Sequence, residues 1–157
     1  MKMKMNDEGI RLIKSFEGFR TKPYQLNGEK YYTVGWGHYG KDVNPNKIYT
    51  LEECERFFKE DIYRFKVNVD KYDIFYDFNE NEFSALVSFA YNVGSVDGLL
   101  NWGKRTRNEI RVKMLQYCHD STGAILEGLH RRRIKELELF NKPVESSDEL
   151  FDTIKIN

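Results

Sequence analysis

Residues 17–38 read EGFRTKPYQLNGEKYYTVGWGH. The stretch changes character part-way along, and the change decides the fold class. Upstream of it, Asp7 to Glu17 sets Ile10, Leu12, Ile13 and Phe16 on a wide apolar stripe of helical period. Gly18 ends that helix and Pro23 prevents its resumption. From Thr21 to Tyr39 aromatic and β-branched residues alternate with Asn27-Gly28, Gly35 and Gly37. Asn-Gly between such runs predicts a hairpin. The expected strands lie near 22–26 and 30–36, with a third short one near 43–49.

Working outward, Thr50 and Glu53 form a capping-box pattern. Leu51, Cys54, Phe58, Ile62, Phe65 and Val69 then follow at steps of three or four. Such a helix of about twenty residues spans roughly 30 Å, enough to join two lobes. Asn79 to Val93, closed by Gly94, is apolar nearly all round and belongs at the centre of a bundle. Shorter helices are expected around Val96–Leu100, Thr106–Cys118 and Leu129–Phe140. The fold class is α+β, with a small β-hairpin lobe and a larger helical lobe joined by a long helix. Residues 1–141 are expected to form one bilobal domain: a β-rich lobe at about 20–50, the linking helix at about 50–70 and the helical lobe at about 70–141. Residues 142–157 are expected to be a polar tail, too short for a separate wall-binding module and loosely packed. A cleft between lobes is the natural place for a ligand.

Composition narrows the function. The 157 residues suffice for one core, and 40% of them are hydrophobic, which excludes a disordered chain. Lys+Arg and Asp+Glu both number 25, so the net basic balance of a nucleic-acid binder is missing. Cys54 and Cys118 lie in helical stretches outside any CxxC pattern and read as reduced, partly buried thiols. No stretch approaches the ~18 apolar residues of a membrane span, so no stable membrane insertion is expected. The charged start carries no apolar run, so the protein is expected to stay in the cytoplasm of its host until another factor releases it. The three histidines are scattered, and no phosphate loop or nucleophile–His constellation occurs, so no metal and no cofactor is expected. A monomer is expected. Two basic runs, Lys104 to Lys113 and Arg131 to Lys135, read as solvated helix faces or as an attractive field for an anionic polymer.

Glu17 sits at a helix end among Ile13, Phe16 and Phe19. Apolar surroundings disfavour an ionised carboxylate, which is what a general acid working near neutral pH requires. From position alone, a solvated helix-end glutamate is the plainer alternative. The wider context changes this. Glu17-Gly18-Phe19-Arg20, then the hairpin ending Thr33-Val34-Gly35-Trp36-Gly37-His38, resembles the phage lysozyme family of muramidases. Ala85 to Gly94 resembles that family's buried central helix, and Gly128-Leu129-His130-Arg131-Arg132-Arg133-Ile134-Lys135-Glu136 its C-terminal helix. The three motifs occur in order across residues 7–141. The resemblance implies a lysozyme-like fold and cleavage of the β-1,4 bond between N-acetylmuramic acid and N-acetylglucosamine in bacterial peptidoglycan, in phage-induced lysis. It implies that Glu17 is the proton donor, that Thr33 faces it and positions water, and that Arg132 pairs with it. It implies that His38 forms a buried ion pair with Asp61.

One departure falls at the second carboxylate. The family's usual aspartate, nine residues after the donor and six before the threonine, is met here by Leu26 or Asn27, and neither ionises. Glu29 is the one carboxylate between Glu17 and Thr33. An inverting glycosidase needs a base for its water, so Glu29 is a candidate and Asn27 a substrate-side residue. The alternatives are a lytic transglycosylase, in which one acid suffices and 1,6-anhydromuramic ends form, and a catalytically weakened module that binds peptidoglycan or serves as a scaffold.

Overall fold

The computed structural model describes residues 5–144. Helix α1 spans Asp7–Glu17, capped by the Asn6 side chain accepting from the Gly9 N–H, and Gly18 ends it with φ 70°. Three antiparallel strands follow in the order β1 (Arg20–Tyr24), β2 (Tyr32–Gly35) and β3 (His38–Gly40). Helix α2 spans Leu51–Asp70, and the Thr50/Glu53 capping box is formed. Then come α3 (Asp73–Tyr76), α4 (Glu80–Val93), α5 (Asp97–Leu100), α6 (Arg107–Met114) and α7 (Glu127–Asn141).

The hairpin differs from its sequence reading in extent. Asn27 and Gly28 do form the turn, with the Glu29 N–H bonded to the Leu26 carbonyl and Gly28 at φ 87°. Residues 29–31 stay outside the ladder because side chains take their place. The Glu29 carboxylate accepts from the Leu26 N–H at 3.1 Å, the Gln25 amide donates to the Glu29 carbonyl at 2.8 Å, and the Tyr31 N–H donates to the Tyr39 hydroxyl at 3.2 Å. The third strand is not at 43–49. It is β3, paired with β2 through Thr33 opposite Tyr39 and Val34 opposite His38. Residues 43–49 instead make tight turns. The Asn44 side chain accepts from the Asn46 N–H at 2.9 Å, and the intervening Pro45 has no N–H to give a ladder.

The central helix α4 packs against α1, α2 and α7. Its Phe83, Leu86, Val87, Phe89 and Ala90 are fully buried, as its all-round apolar sequence requires. The α2 stripe is buried at Cys54, Phe58, Ile62 and Val69, while Leu51, in the first turn, remains exposed. Helix α6 stops at Met114 rather than continuing to Cys118, because the chain tightens into bonds from Gln116 to Lys113 and from Tyr117 to Met114. Helix α7 begins two residues earlier than expected, at Glu127, and α3, a four-residue helix, is too short to leave a periodic signal. Both cysteines are free and buried. The tail expected from residue 142 lies, from 145 onward, outside the described residues. No helix among the described residues is long and apolar enough to cross a membrane.

Candidate active site

Three elements meet at Glu17. Helix α1 delivers it as its last residue. Helix α7 delivers Arg132, whose Nη1 donates to Glu17 Oε1 at 2.6 Å. The turn between β2 and β3 delivers bare backbone: a Cβ on Gly37, where φ is 86°, would come 3.0 Å from Glu17 Oε2. Glycine thus meets two demands at once, a left-handed conformation and a close approach to the carboxyl group.

The turn is anchored from the helical side. The Tyr91 hydroxyl on α4 donates to the Trp36 carbonyl. Burial, with the fields of Asp61 and Glu17 behind it, raises the Tyr91 pKa far above its ordinary value, so this group stays a donor. The Trp36 ring packs on Phe19 at 4.5 Å, and the Lys14 ammonium lies 4.0 Å over it while pairing with Glu55 at 2.6 Å. The Glu17 side chain keeps 21% of its surface exposed, so a bound molecule can reach it.

The apolar surroundings expected for Glu17 need correcting. Ile13 points into the core, Phe19 covers Trp36, and the carboxyl group itself meets a guanidinium. A helix-end side chain projects past its own stripe toward whatever another element supplies. Here that element is α7, 115 positions along the chain.

The second basic run also needs correcting. Arg132 is 3% exposed and Arg133 0%, so neither contributes to a solvated face. Arg132 Nη2 donates to the Ser88 carbonyl at 3.1 Å and its Nε to Glu136 Oε2 at 3.3 Å. Glu136 Oε2 also accepts from the Ser88 hydroxyl at 2.6 Å. Arg133 Nε lies 2.8 Å from Glu136 Oε1 without the alignment of a hydrogen bond, so that contact is charge pairing, while its Nη2 donates to Asn92 at 2.7 Å. From the first run, Arg107 is tied to Glu82 at 2.8 Å and to the Tyr76 carbonyl at 2.5 Å. The sequence reading missed Glu136 and Ser88. The i, i+4 spacing of Arg132 and Glu136 was the available signal.

His38 Nδ1 lies 2.9 Å from Asp61 Oδ2, and Nε2 lies 3.0 Å from both carboxylate oxygens of Asp42, a partner the sequence reading missed. Its ring stacks on Phe57 at 4.1 Å. Burial lowers the His38 pKa, but the hydrogen bonds and charges of Asp61 and Asp42 outweigh it, and the net direction is upward. Thr33 lies in β2 between Tyr24 and Tyr39 and is 8% exposed. Alternation sets it on the face opposite the core residue Val34. Among the described residues, no hydrogen bond joins it to Glu17. Asn27 and Glu29 stay at the hairpin tip, where the Glu29 carboxylate caps the turn. A surface groove of about 900 Å³ between α1 and α7 does not include Glu17 in its lining, and nothing in its lining repeats the Glu17 arrangement.

A three-stranded sheet beside a helical body with a buried central helix is the lysozyme-like α+β fold. The muramidase domain of SpmX from Asticaccaulis excentricus has it, with a TM-score of 0.79 and 28% identity over 90% of this chain and 100% of that one. The active form of P1 phage endolysin Lyz shares the fold at a TM-score of 0.75 and 24% identity, covering 88% and 85% of the two chains. A family profile described as "Phage lysozyme" matches residues 14–136, and the chain belongs to that family. The endolysin of Bacillus phage PZA is 38% identical over 144 residues, covering 88% of this chain and 55% of its own length. The endolysin of Lactococcus phage c2 is 40% identical over 147 residues, covering 92% and 63%. The chain therefore spans a little over half the length of these curated relatives.

Proposed function

We propose that this protein is a muramidase that hydrolyses the β-1,4 bond between N-acetylmuramic acid and N-acetylglucosamine in bacterial peptidoglycan. The observation that carries this is the partly exposed Glu17 carboxyl group, gripped on one oxygen by Arg132 and bordered on the other by Gly37. Glu17 in its acid form gives a proton to the glycosidic oxygen as the bond from the muramic acid anomeric carbon breaks. Thr33 orients the water that attacks that carbon, the water's proton passes to bulk solvent, from which Glu17 is reprotonated, and Arg132 keeps the acid in place. His38 and Asp61 brace β3 against α2 and take no part in the chemistry. The biological role that fits is lysis of a host by a phage, with the protein held in the cytoplasm until release.

A second reading has one specific observation in its favour. Glu29, the remaining carboxylate between Glu17 and Thr33, is occupied in capping the hairpin turn. A lytic transglycosylase needs no second carboxylate, because the 6-hydroxyl of the muramic acid closes on its own anomeric carbon. Mass spectrometry of digested peptidoglycan separates the two. Reducing muramic ends support hydrolysis, 1,6-anhydro ends support the transglycosylase, and intact glycan rejects both. Glu17→Gln keeps the shape but has no proton to give, so activity should fall by roughly 10²–10⁴-fold. Normal clearing of cell walls by this variant would remove Glu17 from the role of acid.

A further inference from the structure

Behind Glu17 lies a second carboxyl group that the chemistry above does not use. Glu136 is fully buried, one turn after Arg132 on α7. Its Oε2 accepts from Arg132 Nε at 3.3 Å, the Ser88 hydroxyl at 2.6 Å and Arg133 Nη2 at 3.4 Å, and its Oε1 faces Arg133 Nε at 2.8 Å. Arg132 thus bridges two carboxyl groups, holding Glu17 through Nη1 and Glu136 through Nε. A guanidinium has five donors in a rigid plane, so fixing Nε and Nη2 fixes the direction in which Nη1 points. Here Nε is fixed by Glu136 and Nη2 by the Ser88 carbonyl.

The cluster is also balanced in charge. Arg132 and Arg133 face Glu17 and Glu136, two cations against two carboxyl groups. Tyr91, from α4, lies in the fields of Glu17 and Arg132, and Cys118, beyond α6, acts on Arg133. Burial pushes the Glu136 carboxyl up and the two arginines and the Ser88 hydroxyl pull it down. Burial is the larger effect and the net direction is upward, while the guanidinium groups at both oxygens are what favour the carboxylate against it.

We propose that Glu136 is a positioning residue of this site, aiming Arg132 at Glu17 and offsetting the charge that Arg132 and Arg133 would otherwise direct at it. The proposal rests on the reading of Glu17 as the acid for its functional meaning, but not for its test. Replacing Glu136 by Gln leaves Arg132, which faces Glu17, and Arg133 beside it with Glu17 as the one carboxyl group of the cluster, which favours the carboxylate of Glu17 over its acid form.

The experiment is a ¹³C titration of the Glu17 carboxyl by NMR, its signal assigned by its loss in Glu17→Gln. In Glu136→Gln the midpoint should fall, with proton affinity lower by about tenfold. The alkaline limb of any glycan-cleaving activity should move to lower pH with it. Glu136→Asp keeps the charge and draws it back by one methylene, so it should fold even if the amide does not, and should move the midpoint the same way by less. In an Arg132→Gln background only Arg133 is left uncovered, so Glu136→Gln should move the midpoint by much less. An unmoved midpoint in folded variants, with only the melting temperature lowered, would make Glu136 a scaffold residue and overturn the proposal. So would an equal shift in the Arg132→Gln background. If the wild-type protein leaves peptidoglycan intact, the muramidase reading fails while the titration still decides the role of Glu136.

Discussion

The backbone at Gly37 rests against the carboxyl group of Glu17, so closely that a Cβ there would come 3.0 Å from Oε2. Gly37→Ala therefore makes two changes. It places a side chain at φ 86°, a cost of about 1–2 kcal/mol, and it pushes on the carboxyl group. Gly28→Ala provides the control, because Gly28 has φ 87° and nothing within 4 Å of its would-be Cβ. The two variants should lose similar stability in urea denaturation, while Gly37→Ala alone should lose at least tenfold in wall-clearing rate. Equal activities in the pair would show that the contact with Glu17 has no bearing on turnover.

Much of this arrangement was legible in the chain. The α2 and α4 helices follow from their apolar periods and their capping residues, because each signal is local. What escaped was set by distant or competing partners. The strand boundaries moved because the side chains of Gln25, Glu29 and Tyr39 took up backbone groups that a ladder would have used. Arg133 reads as a surface charge in a run of basic residues, and only its burial against Glu136 and Asn92 shows otherwise. Asp42 was overlooked beside His38 because nothing in the spacing separates a loop aspartate that turns back from one that faces water.

The His38 contacts set a pH dependence of stability. The folded-state pKa of His38 lies above its unfolded value. Its contribution is therefore fully present below about pH 6.5 and fades as pH rises through the higher folded value. Asp61→Asn removes the buried partner, so its loss of stability should be greater at pH 5.5 than at pH 9, by roughly 1–3 kcal/mol. Asp42 is half exposed, and Asp42→Asn should cost less at either pH. Melting curves of both variants at the two pH values check this. A loss from Asp61→Asn that does not change with pH would rule out a charged histidine there.

Tyr91 ties α4 to the turn that carries Gly37. Tyr91→Phe keeps the ring contacts with Phe58 and Phe65 and leaves the Trp36 carbonyl without that donor. The stability loss should be about 1–2 kcal/mol. The turnover number should fall several-fold, because the turn beside Glu17 is freed from the helical side. Amide exchange measured at Trp36 and Gly37 should speed up more than at Val34, inside β2. Uniform exchange along the hairpin would place the hydroxyl outside the control of the turn.

Glu29 is where the sequence left two options open, and the structure gives each a physical form. A strand running on through Glu29 without a bulge would set Glu29, Tyr31 and Thr33 on one face, but the strand begins at Tyr32, so alternation does not link Glu29 to Thr33. Its carboxylate instead accepts the Leu26 N–H while its own N–H bonds the Leu26 carbonyl, a reciprocal closure of the turn. Glu29→Gln retains an oxygen acceptor for that N–H, so stability should change by less than about 1 kcal/mol, and activity should drop only a few-fold. A general base would behave differently, with a loss approaching that of Glu17→Gln. Asn27→Asp probes the same question from the other side, by adding a carboxyl group at the exposed tip of the turn. If the site is an inverting one that lacks its base, the rate of reducing-end formation should rise. A rate unchanged in Asn27→Asp, with 1,6-anhydro ends from the parent protein, would reject inversion and leave the single acid Glu17 to act with the 6-hydroxyl of the substrate.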